Sequence, residues 1–329
     1  MRVIRDALEA AARALEVAGI EGAKAEARAL AAFVTGLTPA QIFSRDDTEL
    51  SDADAAQFDA VIRRRIAGEP AAYIMGVREF WSLPFKVTPA TLIPRPDTES
   101  VIDLAIQLFA DRTPPQQILD IGTGSGCLVL ALLDIYADAH GIGTDISVCA
   151  LSVAAENAMT LGLSNRATMV EGAWSAQQAE PFDLIVSNPP YIPRHDIENL
   201  DVTVRDFEPL LALDGGADGL DAYRHVLAEA VDIVTDGGWI VLEVGIDQAD
   251  TVTEIARNLG LLAGPRQRDI AGIDRALAFH KKKCWNSGGQ GLTSSGFGPF
   301  RSGGAPRAFY EPTDPSRTSF FLGRVTLNP

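Results

Sequence analysis

The sequence predicts an α/β fold in which a doubly wound, mostly parallel sheet follows a small bundle of helices. From residue 117 to residue 244, short apolar runs alternate with stretches of helical periodicity. Alternation at this spacing is typical of parallel strands joined by helices that cover both faces of the sheet. The first 75 residues are rich in Ala, Leu, Glu and Arg and carry apolar residues at helical spacing, which predicts the separate bundle.

Three helices are predicted in the N-terminal region, which we expect to span residues 1–75. The first ends near Gly19 and the second ends near Gly36, because glycine readily takes the left-handed conformation that closes a helix. Ser51 is a suitable N-cap for the third helix, with Asp54 at the capping-box position. The apolar face of this helix is expected to carry Phe58, Ile62 and Ile66.

Residues 76–96 have the pattern of a linker. Aromatic and apolar residues alternate over residues 80–87, which predicts a short hairpin. Three prolines then stiffen the chain, and the next helix is expected to begin near Asp97.

The α/β domain is predicted over residues 97–283. Its parallel strands are expected at residues 118–121, 141–146, 167–170, 183–187 and 239–244, its helices at 128–136, 147–161 and 221–234, and a closing antiparallel arm at 275–280. Beyond residue 283 this periodicity stops, and Gly, Ser, Pro, Thr and Arg dominate. Residues 284–329 are therefore predicted to be a mostly disordered tail.

Composition argues against several classes of protein. The 329 residues are 47% hydrophobic, enough for a sizeable core, but no run approaches the roughly 20 apolar residues of a membrane span, and no secretory signal is evident. A formal net charge of −16 argues against broad attachment to nucleic acid. Three widely spaced cysteines indicate neither a disulfide framework nor a zinc site. We expect a cytoplasmic protein without a metal, a membrane or a nucleic-acid partner.

A glycine-rich loop follows the first strand of the predicted sheet and leads into a helix. Its residues are Gly122, Thr123, Gly124, Ser125 and Gly126. Glycines let the backbone turn sharply and let a ligand come close. The G-x-G-x-G spacing differs from the dinucleotide pattern, and no Lys-Ser/Thr pair follows it to form a phosphate-binding loop. Taken alone, the loop indicates either a ligand site or a structural turn.

Asp145 ends the second predicted strand and strengthens the case for a ligand. In doubly wound folds an acid at this position accepts hydrogen bonds from the hydroxyls of a ribose. Together with the glycine loop it favours a nucleoside-containing cofactor over the alternative that Asp145 only caps the next helix. Trp174 comes shortly after the third strand, where an adenine ring would lie, and ordinary packing is the alternative there.

The fourth strand leads into a loop of Asn188, Pro189, Pro190 and Tyr191, at the sheet edge where ligands bind. Both prolines fix the backbone and lack N–H donors, so their carbonyls are exposed as acceptors. A planar NH₂ group can donate one hydrogen to the Asn188 side-chain oxygen and one to the Pro189 carbonyl, with Tyr191 against its face. We predict Asn188, Pro189 and Tyr191 as catalytic residues and all four as substrate contacts.

With these motifs, the chain resembles the release factor glutamine methyltransferases, the PrmC/HemK family, over residues 5–280. The resemblance also rests on four further segments in family order, at residues 69–76, 79–81, 92–99 and 208–220. Two departures are mild. Asp97 stands where the family more commonly has Glu, and Ala173 stands where it more commonly has Asp.

The resemblance implies a Rossmann-like class I methyltransferase that uses S-adenosylmethionine. Its substrate would be the glutamine side-chain amide in the Gly-Gly-Gln motif of class I peptide release factors, with the helical domain recognising the release factor. The implied cofactor contacts are Gly122 to Gly126, Asp145, Trp174 and Asn188. The implied substrate contacts are Asn188 to Tyr191.

Positioning is the expected source of rate, because the amide nitrogen is a weak nucleophile and the loop offers no His, Asp or Glu as a base. His195 is near in sequence, and its geometry is open. Two other functions stay open: an adenine-N6 DNA methyltransferase, since adenine carries a similar NH₂, and a non-catalytic adaptor that binds S-adenosylmethionine. The tail contains Gly288-Gly289-Gln290, which is either a coincidence in a glycine-rich segment or a tethered pseudosubstrate.

Overall fold

The computed structural model describes residues 2–173, 181–269 and 271–281. Among these residues it has eleven α-helices and nine strands. The helices are α1 (Ile4–Val17), α2 (Ala23–Thr35), α3 (Pro39–Ser44), α4 (Asp52–Ile66), α5 (Ala71–Met75), α6 (Glu99–Phe109), α7 (Cys127–Ile135), α8 (Val148–Thr160), α9 (Val202–Arg205), α10 (Asp221–Ile233) and α11 (Ala249–Asn258). The strands are β1 (Val77–Phe80), β2 (Leu83–Lys86), β3 (Gln117–Ile121), β4 (His140–Asp145), β5 (Ala167–Glu171), β6 (Phe182–Ser187), β7 (Val234–Glu243), β8 (Leu261–Arg268) and β9 (Asp274–Lys281).

Seven strands form the main sheet, in the order β5-β4-β3-β6-β7-β9-β8. The pairs from β5 to β7 are parallel, and β9 runs antiparallel to both of its neighbours. The predicted doubly wound fold is confirmed. The strand order reverses between β3 and β6, so a crevice opens at the carboxyl ends of these strands, the position at which open α/β sheets bind ligands.

Alternation along the buried strands separates two apolar cores. In β3, Ile118 packs with α6, α7 and α8, whereas Leu119 packs with α10 and α11 on the opposite face. In β7 the same division holds between Val241 and Ile240. Strands covered on both faces are continuously apolar, which is why the sequence reads as uninterrupted hydrophobic runs.

The N-terminal helices pack around a third apolar core. The predicted ends of the first two helices are confirmed, since α1 and α2 end next to Gly19 and Gly36, which have positive φ values of 77° and 67°. Ser51 caps α4 by accepting a hydrogen bond from the backbone of Asp54. One prediction is wrong: Ile66 is 43% exposed rather than on the buried face, because it lies in the last turn of α4.

The hairpin begins three residues before the predicted segment. Strands β1 and β2 pair antiparallel, with Phe80 opposite Leu83. Trp81 and Ser82 form the turn with φ values of 50° and 60°, the mirror-image geometry that two-residue hairpins need. Asn157 of α8 holds the linker against the main domain, because its side chain both accepts from the Lys86 backbone and donates to it.

Two predictions fall on residues outside those described: the role of Trp174, and the tail 284–329 with Gln290. Across the described residues, no helix is long and apolar enough to cross a membrane. The same residues include no group of three or more His, Cys, Asp or Glu side chains that could hold a metal ion.

Candidate active site

The glycine loop connects β3 to α7 and forms one wall of a cavity of about 260 Å³. Gly122, Gly124 and Gly126 all have positive φ, at 72°, 56° and 82°, a conformation that costs L side chains energy but suits glycine. Gly126 also packs tightly, since a Cβ there would lie 3.2 Å from Cβ of Ala154 on α8. The sequence therefore needs glycine here to expose backbone to the cavity while the loop stays close to α8.

Asp120 is the last residue but one of β3, immediately before this loop, and is 1% exposed. Its Oδ2 accepts hydrogen bonds from the Thr123 hydroxyl at 2.7 Å and from the Val129 backbone at 3.3 Å. Its Oδ1 is buried without a hydrogen-bond partner in the described part of the chain. Burial raises the pKa of this carboxyl to about 7. Asp120 lines the cavity, so it brings an unused acceptor, and at neutral pH a partial negative charge, to the site.

Asp145 lies at the carboxyl end of β4, across the cavity from the linker. One carboxylate oxygen accepts from the backbone of Gly124 at 2.9 Å, and the other accepts from the backbone of Ser147 at 2.8 Å. The residue that caps α8 is Ser147, not Asp145. Since a carboxylate offers about four acceptor positions, Asp145 keeps capacity for further donors in the cavity that it lines.

Asn188 begins the loop after β6 and faces the same cavity. Ser187 anchors the loop by donating to the carbonyl of Ile121, 2.6 Å away on the neighbouring strand. The side-chain nitrogen of Asn188 donates to the hydroxyl of Thr98 at 3.2 Å. That bond leaves the side-chain oxygen of Asn188 as the end available to a ligand, as the sequence analysis predicts.

Tyr191 closes the loop on the side away from the cavity. Its hydroxyl donates to Oε1 of Glu243 at 3.4 Å, and its carbonyl accepts from Gln248 at 3.0 Å. Burial and the charge of Glu243 raise the pKa of its phenol. A Cβ at Gly219 would lie 2.5 Å from this carbonyl, which explains why the segment that covers Tyr191 is rich in glycine.

Two segments distant in sequence form the remaining wall. Four linker residues and three residues of a later segment line the cavity: Ala90, Thr91, Leu92 and Pro94, and Pro209, Leu211 and Ala212. They are joined by an ion pair between Arg95 and Glu208, whose side chain is 1% exposed and also accepts from the backbone of Ile93 at 3.3 Å. Desolvation raises the pKa of Glu208, and Arg95 opposes the shift.

Comparison with known proteins identifies the family. Residues 6–76 match the PrmC N-terminal domain, and residues 98–206 match the methyltransferase small domain. The chain is 44% identical over 281 residues to the release factor glutamine methyltransferase of Bradyrhizobium diazoefficiens, an alignment that covers 84% of this chain and 95% of that protein. The enzyme of the same name from Moorella thermoacetica is 42% identical over 282 residues, with 85% and 99% covered.

The chain belongs to the release factor glutamine methyltransferase family. The predicted resemblance and enzyme class are thereby confirmed, with S-adenosylmethionine as the cofactor. A solved structure supports the fold alone: the hMettl16 catalytic domain in complex with the MAT2A 3'UTR hairpin 6 has a TM-score of 0.50 and 17% identity, with 64% of this chain and 80% of that chain covered.

The cavity of this methyltransferase has the chemistry that its cofactor needs. Asp145 offers acceptors for ribose hydroxyls. The orphaned Oδ1 of Asp120 suits a cationic donor such as the ammonium group of the methionine moiety. Between the two acids, Gly122 and Gly124 have open space where a Cβ would project, so the backbone can approach a bound molecule. The residues present therefore fit S-adenosylmethionine.

The structure brings most of the predicted site residues to one cavity. The glycine loop, Asp145, Asn188 and Pro190 line it. Pro189 and Tyr191 are not in its wall; Tyr191 packs behind the loop against the α10 and α11 core. His195 lies outside the cavity, with its side chain 74% exposed. The stacking and catalytic roles predicted for Tyr191 and Pro189 stay predictions.

Sequence reasoning missed the polar residues behind Asn188. Thr98 and Glu243 are 2% and 1% exposed and bond to the loop 188–191 from two other segments. One signal pointed to Glu243: it is the sole charged residue in the apolar run 239–244, and a buried charge needs a partner or a function. No comparable signal marks Thr98 because threonine is common in ordinary loops.

Proposed function

We propose that the chain transfers a methyl group from S-adenosylmethionine to the side-chain amide nitrogen of the glutamine in the Gly-Gly-Gln motif of a class I peptide release factor. The single observation that carries this proposal is the orientation of Asn188, whose nitrogen is bound by Thr98 while its oxygen is left for an NH₂ donor. Family membership supports the same substrate, since the relatives are named for it.

In this proposal the protein acts by positioning. The cofactor supplies an electrophilic methyl group on a sulfonium. The Asn188 oxygen and the Pro189 carbonyl accept the two amide hydrogens and so aim the nitrogen at that methyl group. When bound, the cofactor would give up this methyl group to the amide nitrogen and leave as the neutral thioether, and one amide proton would pass to solvent because the loop has no His, Asp or Glu. Alignment of this kind lowers the activation free energy without a base in the loop. In well-oriented intramolecular reactions the reduction is on the order of 7–11 kcal/mol.

We also propose the domain boundaries given by the sequence, with residues 1–75 as the part that docks the release factor and residues 97–283 as the catalytic part. The two family matches, 6–76 and 98–206, support this division. A cytoplasmic location fits a substrate that works on ribosomes and fits the free thiols of Cys127 and Cys149.

The direct test is methyl transfer with labelled cofactor and a purified class I release factor, followed by peptide mass mapping. We expect one added methyl group on the glutamine of Gly-Gly-Gln. A matched substrate in which that glutamine is replaced by glutamate lacks the NH₂ group and should take up no label.

Two alternatives have distinct outcomes in the same assay. Label on adenine in duplex DNA would support an adenine-N6 methyltransferase, which the net charge of −16 argues against. Binding of S-adenosylmethionine without transfer to protein or DNA would support a non-catalytic adaptor, which the intact catalytic loop argues against. Either outcome would overturn the proposed substrate and keep the cofactor site.

A further inference from the structure

The loop after β6 contains two residues that cannot anchor it through backbone donors. Pro189 and Pro190 lack an N–H group, so at these positions the loop cannot donate a hydrogen bond to a neighbouring segment. At the start of the loop, Ser187 provides an anchor by donating from its hydroxyl to a backbone carbonyl of β3. The end of the loop, at Tyr191, needs an anchor of its own.

That anchor is the side-chain amide of Gln248, which lies between β7 and α11. Its nitrogen donates to the carbonyl of Tyr191 at 3.0 Å and to the carbonyl of Gly219 at 3.2 Å. Its oxygen accepts from the backbone of Gly245 at 3.1 Å and from the hydroxyl of Tyr223 at 3.2 Å. Both N–H groups of the amide and both lone pairs of its oxygen are thus used within the protein.

The orientation of this amide is fixed by its partners. A backbone carbonyl can only accept a hydrogen bond, and a backbone N–H can only donate one. Two carbonyls lie at one end of the Gln248 side chain, and the N–H of Gly245 lies at the other. A reversed amide would face each of them with the wrong group. Gln248 therefore presents a donor to the carbonyl of Tyr191.

The backbone around Gln248 and the position of this residue both indicate that its side chain serves the loop. A Cβ at Gly245 would lie 2.6 Å from the oxygen of Gln248, and a Cβ at Gly219 would lie 2.9 Å from its nitrogen, so glycine lets both segments reach the amide. Gln248 is also the N-cap of α11, a position that favours Ser, Thr, Asp and Asn. Its side chain nevertheless makes no capping hydrogen bond to this helix.

The same amide joins the loop to the segment that supplies another part of the cavity wall. Gly219 belongs to this segment, and Ile192, the residue after the loop, donates to the carbonyl of Leu213 at 3.0 Å. Just before Leu213, Ala212 lines the cavity together with Asn188. The amide therefore fixes the end of the loop relative to this wall of the cavity.

We propose that Gln248 is a positioning residue for methyl transfer: its amide nitrogen holds the carbonyl of Tyr191 and so keeps Asn188 and Pro189 where they can accept the two hydrogens of the substrate amide. This inference rests on the proposed function and deepens it, because it names the group that fixes the end of the loop. Gln248 does not line the cavity, so its effect reaches the substrate only through the loop.

The test compares two variants of Gln248 with one variant of a neighbour. Gln248→Glu keeps the size of the side chain and the acceptor used by Gly245, but it replaces the donor with an oxygen that faces two carbonyls. Gln248→Met removes both polar ends without adding a charge. Tyr223→Phe is the matched control, because it removes a hydrogen bond at the oxygen end of the same amide and leaves the nitrogen end intact.

For each variant we would measure kcat and KM with a purified class I release factor, the Kd of S-adenosylmethionine by calorimetry, and a thermal melt. Both Gln248 variants should lower kcat on the order of 10- to 10²-fold, because a misplacement of about 1 Å can cost 10²-fold in rate. The Kd should stay close to the wild-type value, because the glycine loop and Asp145 are bonded to each other without Gln248.

Tyr223→Phe should keep a kcat close to that of the wild type, even if its melting temperature falls. A purely structural role of Gln248 would lower the melting temperature without separating kcat from the cofactor Kd. Wild-type kcat in either folded variant of Gln248, or an equal loss of kcat in Tyr223→Phe, would overturn the inference.

The carbonyl of Tyr191 can also be observed without any substrate. In protein labelled with ¹³C at the tyrosine carbonyl and with ¹⁵N at isoleucine, only Tyr-Ile pairs give a coupled signal, and the sequence has two, Tyr73-Ile74 and Tyr191-Ile192. The Tyr191 signal should shift in both variants of Gln248 and far less in Tyr223→Phe. The Tyr73 signal should stay in place in all three.

This second readout separates the inference from the proposed function. If the wild type methylates no release factor but the Tyr191 signal shifts in the variants of Gln248, the substrate assignment fails and the positioning of the loop by Gln248 stands. If the wild type methylates the release factor and the Tyr191 signal is the same in the wild type and in both variants, the inference fails and the proposed function stands.

Discussion

The two walls of the cavity are built in different ways. The cofactor wall comes from one short stretch, 120–126, completed by Asp145, and its contacts run through backbone groups such as the Gly124 amide. The acceptor wall is assembled from side chains far apart in sequence: Thr98 and Asn188, which line the cavity, are 90 residues apart. Behind this wall, Tyr191 and Glu243 are bonded across 52 residues.

This difference implies that the two walls respond differently to substitution. A wall made of backbone depends on φ values that glycine permits, and a ligand is held by the shape of the loop. A wall made of linked side chains depends on each hydrogen bond that joins them. We expect substitutions in the acceptor wall to reduce turnover and those in the cofactor wall to reduce cofactor affinity.

Asn188→Ala should have the largest effect on kcat and should distinguish the acceptor wall from the cofactor wall most clearly. In the proposed function it removes the acceptor that aims the substrate nitrogen, and loss of a single positioned polar group in an active site typically lowers kcat about 10² to 10³-fold. Asn188 is half-buried, and among the described residues its side chain bonds to Thr98 alone, so folding should be little affected. Steady-state kinetics and a thermal melt measure both. Asn199→Ala, an exposed asparagine in the short helix Arg194–Asn199, is the control. Comparable turnover in the two variants would contradict the role of Asn188.

Arg95→Met tests how far the acceptor wall depends on its buried ion pair. The variant leaves the Glu208 carboxylate, 1% exposed, without its cation. Loss of one partner of a buried pair costs up to 3–5 kcal/mol, and the partial exposure of Arg95 reduces this to about 2 kcal/mol of unfolding free energy. Urea denaturation measures it. The double variant with Glu208→Gln should recover most of the loss, and equal stability of Arg95→Met and the wild type would show that the pair contributes nothing.

The first wall could be predicted from sequence because its signals are local. The glycine spacing, the strand that precedes it and the acid that ends the next strand fix where Asp145 must lie once the sheet is parallel. The position of Asn188 followed in the same way from the strand before it. Both positions follow from the rule that ligand-binding residues lie at the carboxyl ends of parallel strands, and β4, β3 and β6 are neighbours in the sheet.

The second wall could not be predicted because its members meet only in the folded chain. Nothing around Thr98 indicates that its hydroxyl lies beneath Asn188, since that contact depends on how the linker crosses the sheet. The pairing of Arg95 with Glu208 spans 113 residues and is likewise set by tertiary packing. The start of the hairpin and the exposure of Ile66 were missed for a related reason: periodicity describes one element, whereas pairing and burial depend on its neighbours.

Asp145→Asn should weaken cofactor binding, which is the effect expected of a substitution in the cofactor wall. The amide keeps the size of the side chain but offers one acceptor oxygen instead of two, and the backbone amides of Gly124 and Ser147 already use both carboxylate oxygens. Loss of a hydrogen bond to a charged group costs about 1.5–3 kcal/mol, so the cofactor Kd should rise about tenfold or more. Calorimetry measures the Kd, and kcat at saturating cofactor should change far less. Asp138→Asn, on an exposed turn, is the control. A fall in kcat with an unchanged Kd would reverse the assignment of the two walls.

Two buried acids have a pKa raised to about 7: Asp120, which lies in the cofactor wall, and Glu243, which lies behind the acceptor wall. An acid with a raised pKa binds more protons in the folded state, so stability falls as pH rises from the unfolded value, near 4, to about 7. Asp120→Asn should remove the contribution of Asp120 to this pH dependence and leave that of Glu243. The fall in unfolding free energy between pH 5 and pH 8 should become smaller by roughly 2–3 kcal/mol. Saturating S-adenosylmethionine should act in the same direction on the wild type, because an ammonium group bound at Asp120 would favour the carboxylate form of this residue. Urea denaturation at several pH values, with and without cofactor, distinguishes the two acids. An equal pH slope in Asp120→Asn and the wild type would show that the acid of the cofactor wall is not the one that titrates.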